Sequence, residues 1–410
     1  MSLLLDADKI MQAALHAAMP DTAVRKALSQ LPECSGRLIL IAAGKAAWQM
    51  AAAASDALGD RISSGVVVTK YDHSKGDLPG ISIYEAGHPV PDTQSYRATQ
   101  AAIDAVTGLT EEDLVLFLLS GGGSALFEKP LIPPAELEDI TRQLLGCGAD
   151  IVEINTLRKR FSAVKGGKFA ALCAPAQVFS VVLSDIIGDR LDMIASGPAY
   201  PDAATSADAL NIAEKYHLKL SGQARSLLMQ ETPKVLSNVQ THITGSVRQL
   251  CTAAASCAEK LGYQPVVLTA SLCCEARDAG SFLASIARHH ADSRQSLAFI
   301  CGGETVVHLT GHGKGGRNQE LALSAAIGIG GLPDTLIFSL GSDGTDGPTD
   351  AAGGIVDGTT LPKLTAKGIC IDEVLRENDA YHALQAVDGL IFTGPTGTNV
   401  NDLTVLLIKR

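Results

Sequence analysis

The chain has 410 residues, and its 33 Lys and Arg against 44 Asp and Glu give a formal net charge of −11. This acidic balance argues against a strongly basic nucleic-acid surface. Hydrophobic residues make up 46% and aromatic residues only 4%, while 40 residues are glycine. That composition favours a globular α/β scaffold of two or three domains with many tight strand-to-helix turns.

Targeting signals and metal-binding cysteines are not expected. The opening residues MSLLLDADKIMQ lack the basic region and the long apolar region of a secretory signal, which predicts a cytoplasmic protein. No stretch approaches about 18 uninterrupted apolar residues, so we expect no membrane span. The nine cysteines are scattered and form no CxxC pair, which predicts reduced thiols and no zinc site.

Apolar runs that alternate with helical segments predict repeated βα units in the first half of the chain. Residues 5–30 read as a helix, and the apolar run 38–41 ends at Gly44 before an Ala-rich helix at 46–58. Further short strands are predicted at 66–68, 81–83, 114–119 and 178–183. This succession indicates an α/β fold with a mostly parallel, three-layer sheet.

The same pattern resumes after a polar, irregular stretch at 231–237. Strands are predicted at 239–244 and 266–268, and helices at 247–261 and 274–289. From residue 296, LAFICGGETVVHL reads as a hairpin-like pair, followed by a helix at 318–327 and strands at 336–340 and 403–408. We predict an N-terminal domain at 1–235, a connecting α/β segment at 236–295 and a smaller C-terminal α/β domain at 296–410.

Two glycine-bearing turns follow apolar strands and are candidates for anion binding. Ser120, Gly121, Gly122, Gly123 and Ser124 can bring backbone N–H groups close to a phosphate or a carboxylate, although a plain flexible turn is the alternative. Lys45 follows Gly44 at a predicted helix start and could reach a bound phosphate. It is not a P-loop lysine, because Ala46 stands where Ser or Thr is required, and a surface lysine is the alternative.

Two acidic turns are candidates for metal binding or proton transfer. Asp185 and Asp189 could hold Mg²⁺ or accept a hydroxyl proton, or they could cap helices. Asp343, Gly344 and Asp346 belong to a turn that could present carboxylates to Mg²⁺ or to ligand hydroxyls. A calcium loop is not expected there, because the terminal Glu is missing.

Three further segments have open interpretations. GHGKGG at 311–316 matches G-x-G-x-x-G weakly, and the adjacent Arg317 suits phosphates better than a nicotinamide dinucleotide. The basic run at 155–168, which contains Lys165, is either a solvated face or a second positive patch for a small acid. His88 lies in a Pro-stiffened loop and could touch a substrate, but an isolated loop histidine is more often structural.

The motifs, taken in order, resemble those of the glycerate 2-kinase family over nearly the whole chain. They are GKAA, VVTKY, EAGHPVPD, SGGGSAL, EINTLRKRFSAVKGGK, LSDIIGDRLDMIASGP, GGET, GGRNQELAL, GSDGTDGPTDAAGG and GPTGTNVND. The resemblance implies a Rossmann-like N-terminal domain and a C-terminal MOFRL domain. It also implies ATP- and Mg²⁺-dependent phosphorylation of D-glycerate, usually at the 2-hydroxyl, in an interdomain cleft. Some members of the family have been labelled hydroxypyruvate reductases.

On this basis we assign hypothetical roles to the candidate residues. Lys45 and Arg317 are assigned to charge stabilisation, and Asp189 to hydroxyl activation. Asp343, Gly344 and Asp346 are assigned to nucleotide or metal contacts, and Asp185 to a further metal contact. The residues assigned to substrate or phosphate binding are Ser120, Gly121, Gly122, Gly123, Ser124, Lys165, Asn318 and Glu320. The alternatives are an NAD(P)H-dependent hydroxypyruvate reductase and a non-catalytic ligand sensor. A homodimer is compatible with the sequence, which does not specify one.

Overall fold

A computed structural model of the chain describes residues 2–184 and 191–410. The chain forms two compact units, the first built from Ala23–Thr244 and the second from Met1–Thr22 with Gly245–Arg410. This division differs from the predicted boundaries at 235 and 296. The N-terminal helix belongs to the second unit, where the buried Asp6 carboxylate accepts a hydrogen bond from Tyr263 Oη at 2.9 Å.

The strands form two six-stranded sheets, one in each unit. The first sheet contains β1 (Leu38–Ala43), β2 (Ile62–Lys70), β3 (Ile81–Ala86), β4 (Leu114–Leu119), β5 (Gln177–Val182) and β6 (Val239–Ile243). The second contains β7 (Gln264–Leu272), β8 (Leu297–Gly303), β9 (Thr335–Gly341), β10 (Gly353–Asp357), β11 (Leu390–Ile391) and β12 (Asp402–Ile408). The predicted strands at 239–244 and 266–268 therefore belong to different units.

The helices connect and cover these strands. In chain order they are α1 (Leu3–Ala17), α2 (Pro20–Leu28), α3 (Ala47–Leu58), α4 (Thr93–Ala105), α5 (Gly123–Leu126), α6 (Pro134–Gly146), α7 (Ile151–Phe161), α8 (Lys168–Cys173), α9 (Ser206–Lys215), α10 (Gly222–Leu228), α11 (Val247–Lys260), α12 (Ala276–His289), α13 (Arg317–Ile329), α14 (Thr360–Ala366), α15 (Ile371–Arg376) and α16 (Ala380–Gln385). The single helix predicted over 5–30 is wrong. Pro20 lacks an amide proton and its ring cannot continue α1, so it begins a new helix instead.

The first sheet is fully parallel, in the order β3-β2-β1-β4-β5-β6. The apolar runs of β1 and β4 are buried along their whole length, as expected for central strands covered by helices on both faces. This order is that of the Rossmann fold, which confirms the predicted class of the N-terminal domain.

A second apolar core in the first unit lies among α6, α7, α9 and α10. The buried side chains there include Leu137, Ile140, Leu157, Phe161 and Leu228. Short helices of this kind are hard to predict individually, because each buries its apolar face only against the others. Their packing holds α7 rigidly beside the loops that follow the sheet.

The second sheet is mixed, in the order β11-β10-β9-β12-β8-β7. β12 runs antiparallel to both β8 and β9, whereas β7 is parallel to β8. The hairpin predicted at 297–309 is wrong, because β12 and β7 occupy both edges of β8. Val306 forms only an isolated bridge with Glu275.

None of the described helices combines the length and the hydropathy needed to cross a bilayer.

Candidate active site

The two turns predicted to bind anions lie side by side at the carboxyl ends of the strands in the first sheet. Ala43, the last residue of β1, is in register with Val68 of β2 and with Leu119 of β4. The connections from β1 and β4 lead in opposite directions, toward β2 and toward β5. Open parallel sheets bind their ligands in the crevice that such a reversal creates at the carboxyl ends of the strands. The turns after β1 and β4 therefore line the expected ligand site.

Gly44 allows the two turns to touch. Its φ is +127°, and a Cβ at this position would lie 2.2 Å from Ser120 Oγ. The Ser120 hydroxyl accepts a hydrogen bond from the Ala46 N–H at 3.1 Å, and the Lys45 N–H donates to Gly121 O at 2.9 Å. Ser120 is buried. The hydroxyl predicted to bind a phosphate or a carboxylate is thus engaged in joining the two turns.

Replacing Gly44 tests this close approach. We expect Gly44→Ala to lower the free energy of unfolding of the first unit by about 2–4 kcal/mol, because the new methyl group meets Ser120. Urea denaturation followed by fluorescence of Trp48, the single tryptophan, measures the effect. Gly146→Ala, at the end of α6 with no neighbouring atom within 4 Å, is the control and should be neutral or slightly stabilising.

The glycine turn after β4 leaves two backbone donors for a ligand. Within residues 2–184 and 191–410, the N–H groups of Gly121 and Gly122 have no hydrogen-bond partner, whereas the Gly123 N–H lies 3.4 Å from Ser120 O. Gly122 has a φ of +84°, a conformation that residues with a side chain rarely adopt. Successive amides of this kind form a concavity that binds anions. The cradle predicted from the sequence therefore narrows to Gly121 and Gly122.

Lys45 and His88 flank these two amides. Lys45 is exposed, and its ammonium has no acidic partner in the described part of the chain. A Cβ on Gly122 would lie 3.1 Å from both Lys45 Cγ and His88 Cδ2, so both side chains contact the turn. Burial is the main cause that lowers the pKa of His88, and the nearby Lys45, Lys70 and His73 act in the same direction. These groups suit an anionic phosphoryl group.

The sequence did not single out His73, and it left His88 open between a substrate contact and a structural role. His73 Nδ1 lies 3.1 Å from Lys45 O, and Thr69 Oγ1 donates to the same oxygen at 3.3 Å. The motif EAGHPVPD directly follows a predicted strand. This position could have indicated that His88 lies at the carboxyl ends of the strands. The strand order, which brings β3 and β2 next to β1, is not readable from that motif.

Ser124 faces a group of buried polar residues on the other side of the glycine turn. Its Oγ lies 3.1 Å from Ser196 Oγ, which donates to Asn155 Oδ1 at 3.0 Å. Ser196 has a φ of +61°, a conformation uncommon outside glycine and often retained at functional sites. Asp185 and Asp189 lie outside the described residues, and their roles stay predictions.

Lys165 is completely buried and supports the glycine turn from inside the protein. Its Nζ lies 2.8 Å from Glu128 Oε2 and donates to Ser124 O at 2.8 Å and to Phe127 O at 3.0 Å. Burial lowers the pKa of Lys165, and the charge of Glu128 opposes that effect. Because three protein oxygens surround the ammonium, it serves as a positioning group, and the predicted direct contact with a ligand receives no support.

Other cations of the basic run at 155–168 are also internal. Lys159 Nζ lies 3.0 Å from Asp202 Oδ1, and Arg160 Nη2 donates to Ala204 O at 2.9 Å. Lys168 Nζ donates to three carbonyl oxygens near the end of α7, including Arg160 O at 3.2 Å. Burial lowers the pKa of Lys168 to about 8. These three cations connect parts of the first unit and do not form a solvated positive patch.

In the second unit, Arg317 begins α13 and is held by acidic residues. Its Nε donates to Asp402 Oδ2 at 2.6 Å and its Nη2 to Asp402 Oδ1 at 3.0 Å, while Nη1 lies 3.4 Å from Glu304 Oε1. Asp402 is buried, so removing Arg317 would leave that carboxylate without its main cation. A loss of stability should therefore accompany any loss of turnover in Arg317→Ala. Its predicted role in phosphoryl transfer stays a prediction.

Asp346 caps the N-terminus of α13. Its Oδ1 accepts hydrogen bonds from the Asn318 N–H and Nδ2, both at 3.2 Å, and its Oδ2 accepts from the Gln319 N–H at 2.9 Å. Asn318 Oδ1 in turn accepts from Ser339 Oγ. Burial raises the pKa of Asp346 to about 6, and the neighbouring Asp402 acts in the same direction. Both carboxylate oxygens are thus occupied in fixing the helix start.

Asp346→Asn is expected to change how stability depends on pH. Because the pKa of Asp346 rises from 3.8 to about 6 on folding, the folded chain binds this proton more tightly than the unfolded chain. The stability contributed by this group is complete below about pH 4 and is lost as the pH rises through about 6. Relative to wild type, the variant should gain about 2–3 kcal/mol between pH 4 and pH 7.

Urea denaturation across this pH range measures the gain. Asp292→Asn, which alters an exposed carboxylate of the same unit, is the control. A stability difference between Asp346→Asn and wild type that stays constant with pH would contradict the assignment.

Glu320 is also part of an internal network. Asn378 Nδ2 donates to Glu320 Oε2 at 3.2 Å, and Arg277 Nε lies 3.5 Å from Glu320 Oε1. Burial raises the pKa of Glu320, while these two partners oppose the shift. Like Asn318, Glu320 is buried within the second unit. The ligand-binding roles predicted for Asn318 and Glu320 stay predictions, because their contacts among the described residues are internal to the second unit.

The segment 311–316 is not arranged as a dinucleotide-binding turn. β8 ends well before it, so the glycines do not directly join a strand to a helix as that fingerprint requires. A Cβ on Gly311 would lie 2.3 Å from Glu377 Cα, and one on Gly313 would lie 2.4 Å from Asp379 Cβ. The Gly313 N–H also donates to Glu377 O at 2.8 Å. Close packing against the chain at 377–379 accounts for these glycines.

Asp343 is a predicted metal ligand with an uncommitted oxygen. Its Oδ1 accepts hydrogen bonds from Thr345 N–H at 3.0 Å and Thr345 Oγ1 at 3.2 Å, whereas its Oδ2 has no partner within the described ranges. A Cβ on the adjacent Gly344 would lie 2.0 Å from Gly394 O, so this turn requires glycine. The residues that the structure describes contain no group of three or more potential His, Cys, Asp or Glu metal ligands. One carboxylate oxygen of Asp343 is therefore uncommitted among the described residues, and its assignment to a metal stays a prediction.

The first unit thus has the architecture of a Rossmann-like α/β enzyme, with a candidate anion-binding site at the point where the strand order reverses. Residues 6–229 match the DUF4147 family, described as a domain of unknown function, and residues 297–402 match the MOFRL family. The chain belongs to the glycerate 2-kinase family, as its motifs predict.

Relatives across this family support that membership. A D-glycerate 2-kinase of Thermotoga maritima is 52% identical over 98% of this chain and 97% of its own. A crystal structure of a glycerate kinase from T. maritima matches with a TM-score of 0.95 and 52% identity, covering 98% of each chain. A protein of Agrobacterium vitis, provisionally named hydroxypyruvate reductase, is 38% identical over 98% of this chain and 93% of its own.

Proposed function

We propose that the chain transfers the γ-phosphoryl group of ATP to the 2-hydroxyl of D-glycerate, giving 2-phospho-D-glycerate and ADP. The proposal rests on a group of donors at the switch point that have no partner among the described residues, namely Lys45 and the amides of Gly121 and Gly122. Phosphoryl transfer needs positioning and charge neutralisation more than a covalent nucleophile, and these donors supply both. The similarity to D-glycerate 2-kinase supports the same activity.

Each residue of the proposed site has a defined task. The ammonium of Lys45 balances negative charge on the transferring group, and the amides of Gly121 and Gly122 donate to its oxygens. His88, whose pKa is lowered by burial, accepts or donates a hydrogen bond at the edge of the same turn. Hydroxyl activation stays assigned to Asp189, and charge stabilisation to Arg317 as well as Lys45.

Magnesium belongs to this proposal as the companion of ATP. When bound, Mg²⁺ neutralises charge on the phosphate oxygens and holds them in a fixed orientation. Asp343 offers one free carboxylate oxygen to it, while both oxygens of Asp346 are already used by α13. Asp185 stays a candidate ligand. We also place the enzyme in the cytoplasm, which agrees with nine cysteines that are all free.

Phosphorus NMR tests the reaction and its position together. The purified protein is incubated with ATP, Mg²⁺ and D-glycerate, and the product is compared with authentic 2- and 3-phosphoglycerate. We expect the 2-phosphoglycerate signal. The 3-isomer would retain the kinase and reject the position, whereas intact ATP in the presence of folded protein would reject the kinase activity on D-glycerate.

A parallel assay addresses reduction of hydroxypyruvate. The glycine pattern that suggested a nicotinamide site packs against 377–379, so no contact in the second unit favours that activity. We expect no oxidation of NADH or NADPH when hydroxypyruvate is added. Oxidation at a rate comparable to phosphorylation would overturn this expectation.

A further inference from the structure

Arg158 differs from the other cations of α7 because no ion pair or hydrogen bond joins its side chain to the part of the chain that the structure describes. In residues 2–184 and 191–410, no carboxylate or carbonyl oxygen pairs with its guanidinium, and its Nε is buried without a hydrogen bond. The next residues, Lys159 and Arg160, are both paired with Asp202. Buried donors without an acceptor are uncommon in native proteins, because their loss of hydration is not compensated. Arg158 as a whole is half-buried, so solvent or a small ligand can reach the rest of its guanidinium.

Two observations connect Arg158 with the Ser124 end of the glycine turn. First, Asn155 precedes it by three residues, so both lie on one face of α7, and Asn155 connects through Ser196 to Ser124. Second, burial of Lys165 and then the positive charge of Arg158 lower the pKa of Lys165, whose Nζ donates to Ser124 O. The unpaired guanidinium and the free amides are therefore near the same turn.

We infer that Arg158 binds the carboxylate of the acceptor substrate and thereby selects a 2-hydroxy acid over a neutral polyol. This inference rests on the proposed function. A guanidinium presents parallel N–H donors in a planar fork that matches the two oxygens of a carboxylate. Lys45 and His88 already provide polar groups for a phosphoryl group at the other end of the turn. The acceptor has one more anionic group, its carboxylate, and the guanidinium of Arg158 has no partner among the described residues that would compete for it.

Arg158→Gln tests the assignment, because it keeps polar donors and removes both the charge and the fork. We expect the KM for D-glycerate to rise about 10–100-fold, with the KM for ATP within about twofold of wild type. Titration calorimetry with D-glycerate alone should show the same loss of affinity without any turnover. Arg225→Gln, which changes an exposed arginine on α10 of the same unit, is the matched control and should change neither constant.

A neutral substrate isolates the carboxylate contact. With glycerol in place of D-glycerate, wild type and Arg158→Gln should have kcat/KM values within about twofold of each other. Arg158→Lys keeps the charge but lacks the fork, and should raise the KM for D-glycerate by at least about fivefold. This variant also provides the measurement if Arg158→Gln does not fold.

The outcomes separate the two proposals. If wild type neither binds nor phosphorylates D-glycerate, the proposed function fails before Arg158 is considered. If wild type binds D-glycerate and the folded variants bind it equally well, the role of Arg158 is rejected. A rise confined to the KM for ATP would assign the guanidinium to a phosphate and would also overturn the inference.

Discussion

Lys45→Ala is expected to lower kcat about 10²–10³-fold and to leave the free energy of unfolding within about 0.5 kcal/mol of wild type. The reason is that the Lys45 side chain is exposed and unpaired within the described residues, so its loss breaks no ion pair in the fold. Its backbone contact with Gly121, which does depend on this position, is kept by any residue except proline. Release of ADP in a coupled assay measures kcat, and urea denaturation measures stability.

Two variants sharpen this prediction. Lys26→Ala removes an exposed lysine from α2 of the same unit and should leave kcat unchanged. Lys45→Arg retains the charge and should keep more activity than Lys45→Ala, although the larger head group fits the phosphate differently. A kcat within about threefold of wild type in folded Lys45→Ala would remove Lys45 from the reaction.

The sequence predicts where this site lies better than it predicts which atoms face the ligand. Apolar runs followed by glycine turns indicate strand ends of a parallel sheet, and Gly44, Lys45 and Gly121 are found there. The contact between the two turns depends on the pairing of β1 with β4, which are far apart in the chain. No local pattern shows that Ser120 uses its hydroxyl on the Ala46 N–H.

The partners of charged residues were hard to predict because they are distant in sequence. Asp346 and Arg317 look like ligand-binding residues in their polar, glycine-rich turns. The fold instead pairs Asp346 with the amides that begin α13 and pairs Arg317 with Asp402 on β12. Sequence spacing reports neighbours along one helix or strand, and it carries no signal for a contact formed when separate elements meet.

Lys165 also pairs with a residue that is distant in sequence, Glu128, and breaking this pair should cause the largest change in stability that we expect. Glu128→Ala should lower the free energy of unfolding of the first unit by about 3–5 kcal/mol, because it leaves a fully buried ammonium without its counter-charge. The double variant Glu128→Leu/Lys165→Met should lose less stability than Glu128→Ala alone, since it removes both charges. Urea denaturation followed by Trp48 fluorescence measures each variant.

The pH dependence provides a second readout of the same pair. Burial lowers the pKa of Lys165, and removing Glu128 removes the main group that opposes this effect. In Glu128→Ala the folded chain then holds the Lys165 proton less tightly than the unfolded chain, so stability rises with pH up to the usual lysine value of about 10.4. The difference from wild type should narrow as the pH increases.

An exposed ion pair supplies the control for this prediction. Arg142 and Glu138 on α6 are paired at 3.1 Å with both side chains largely exposed, and Glu138→Ala should change stability by no more than about 0.5–1 kcal/mol. The assignment would be contradicted if Glu128→Ala had a similarly small effect. It would also be contradicted if the double variant were less stable than the single variant. Loss of activity together with stability is expected in Glu128→Ala, because Lys165 binds Ser124 O at the end of the proposed cradle.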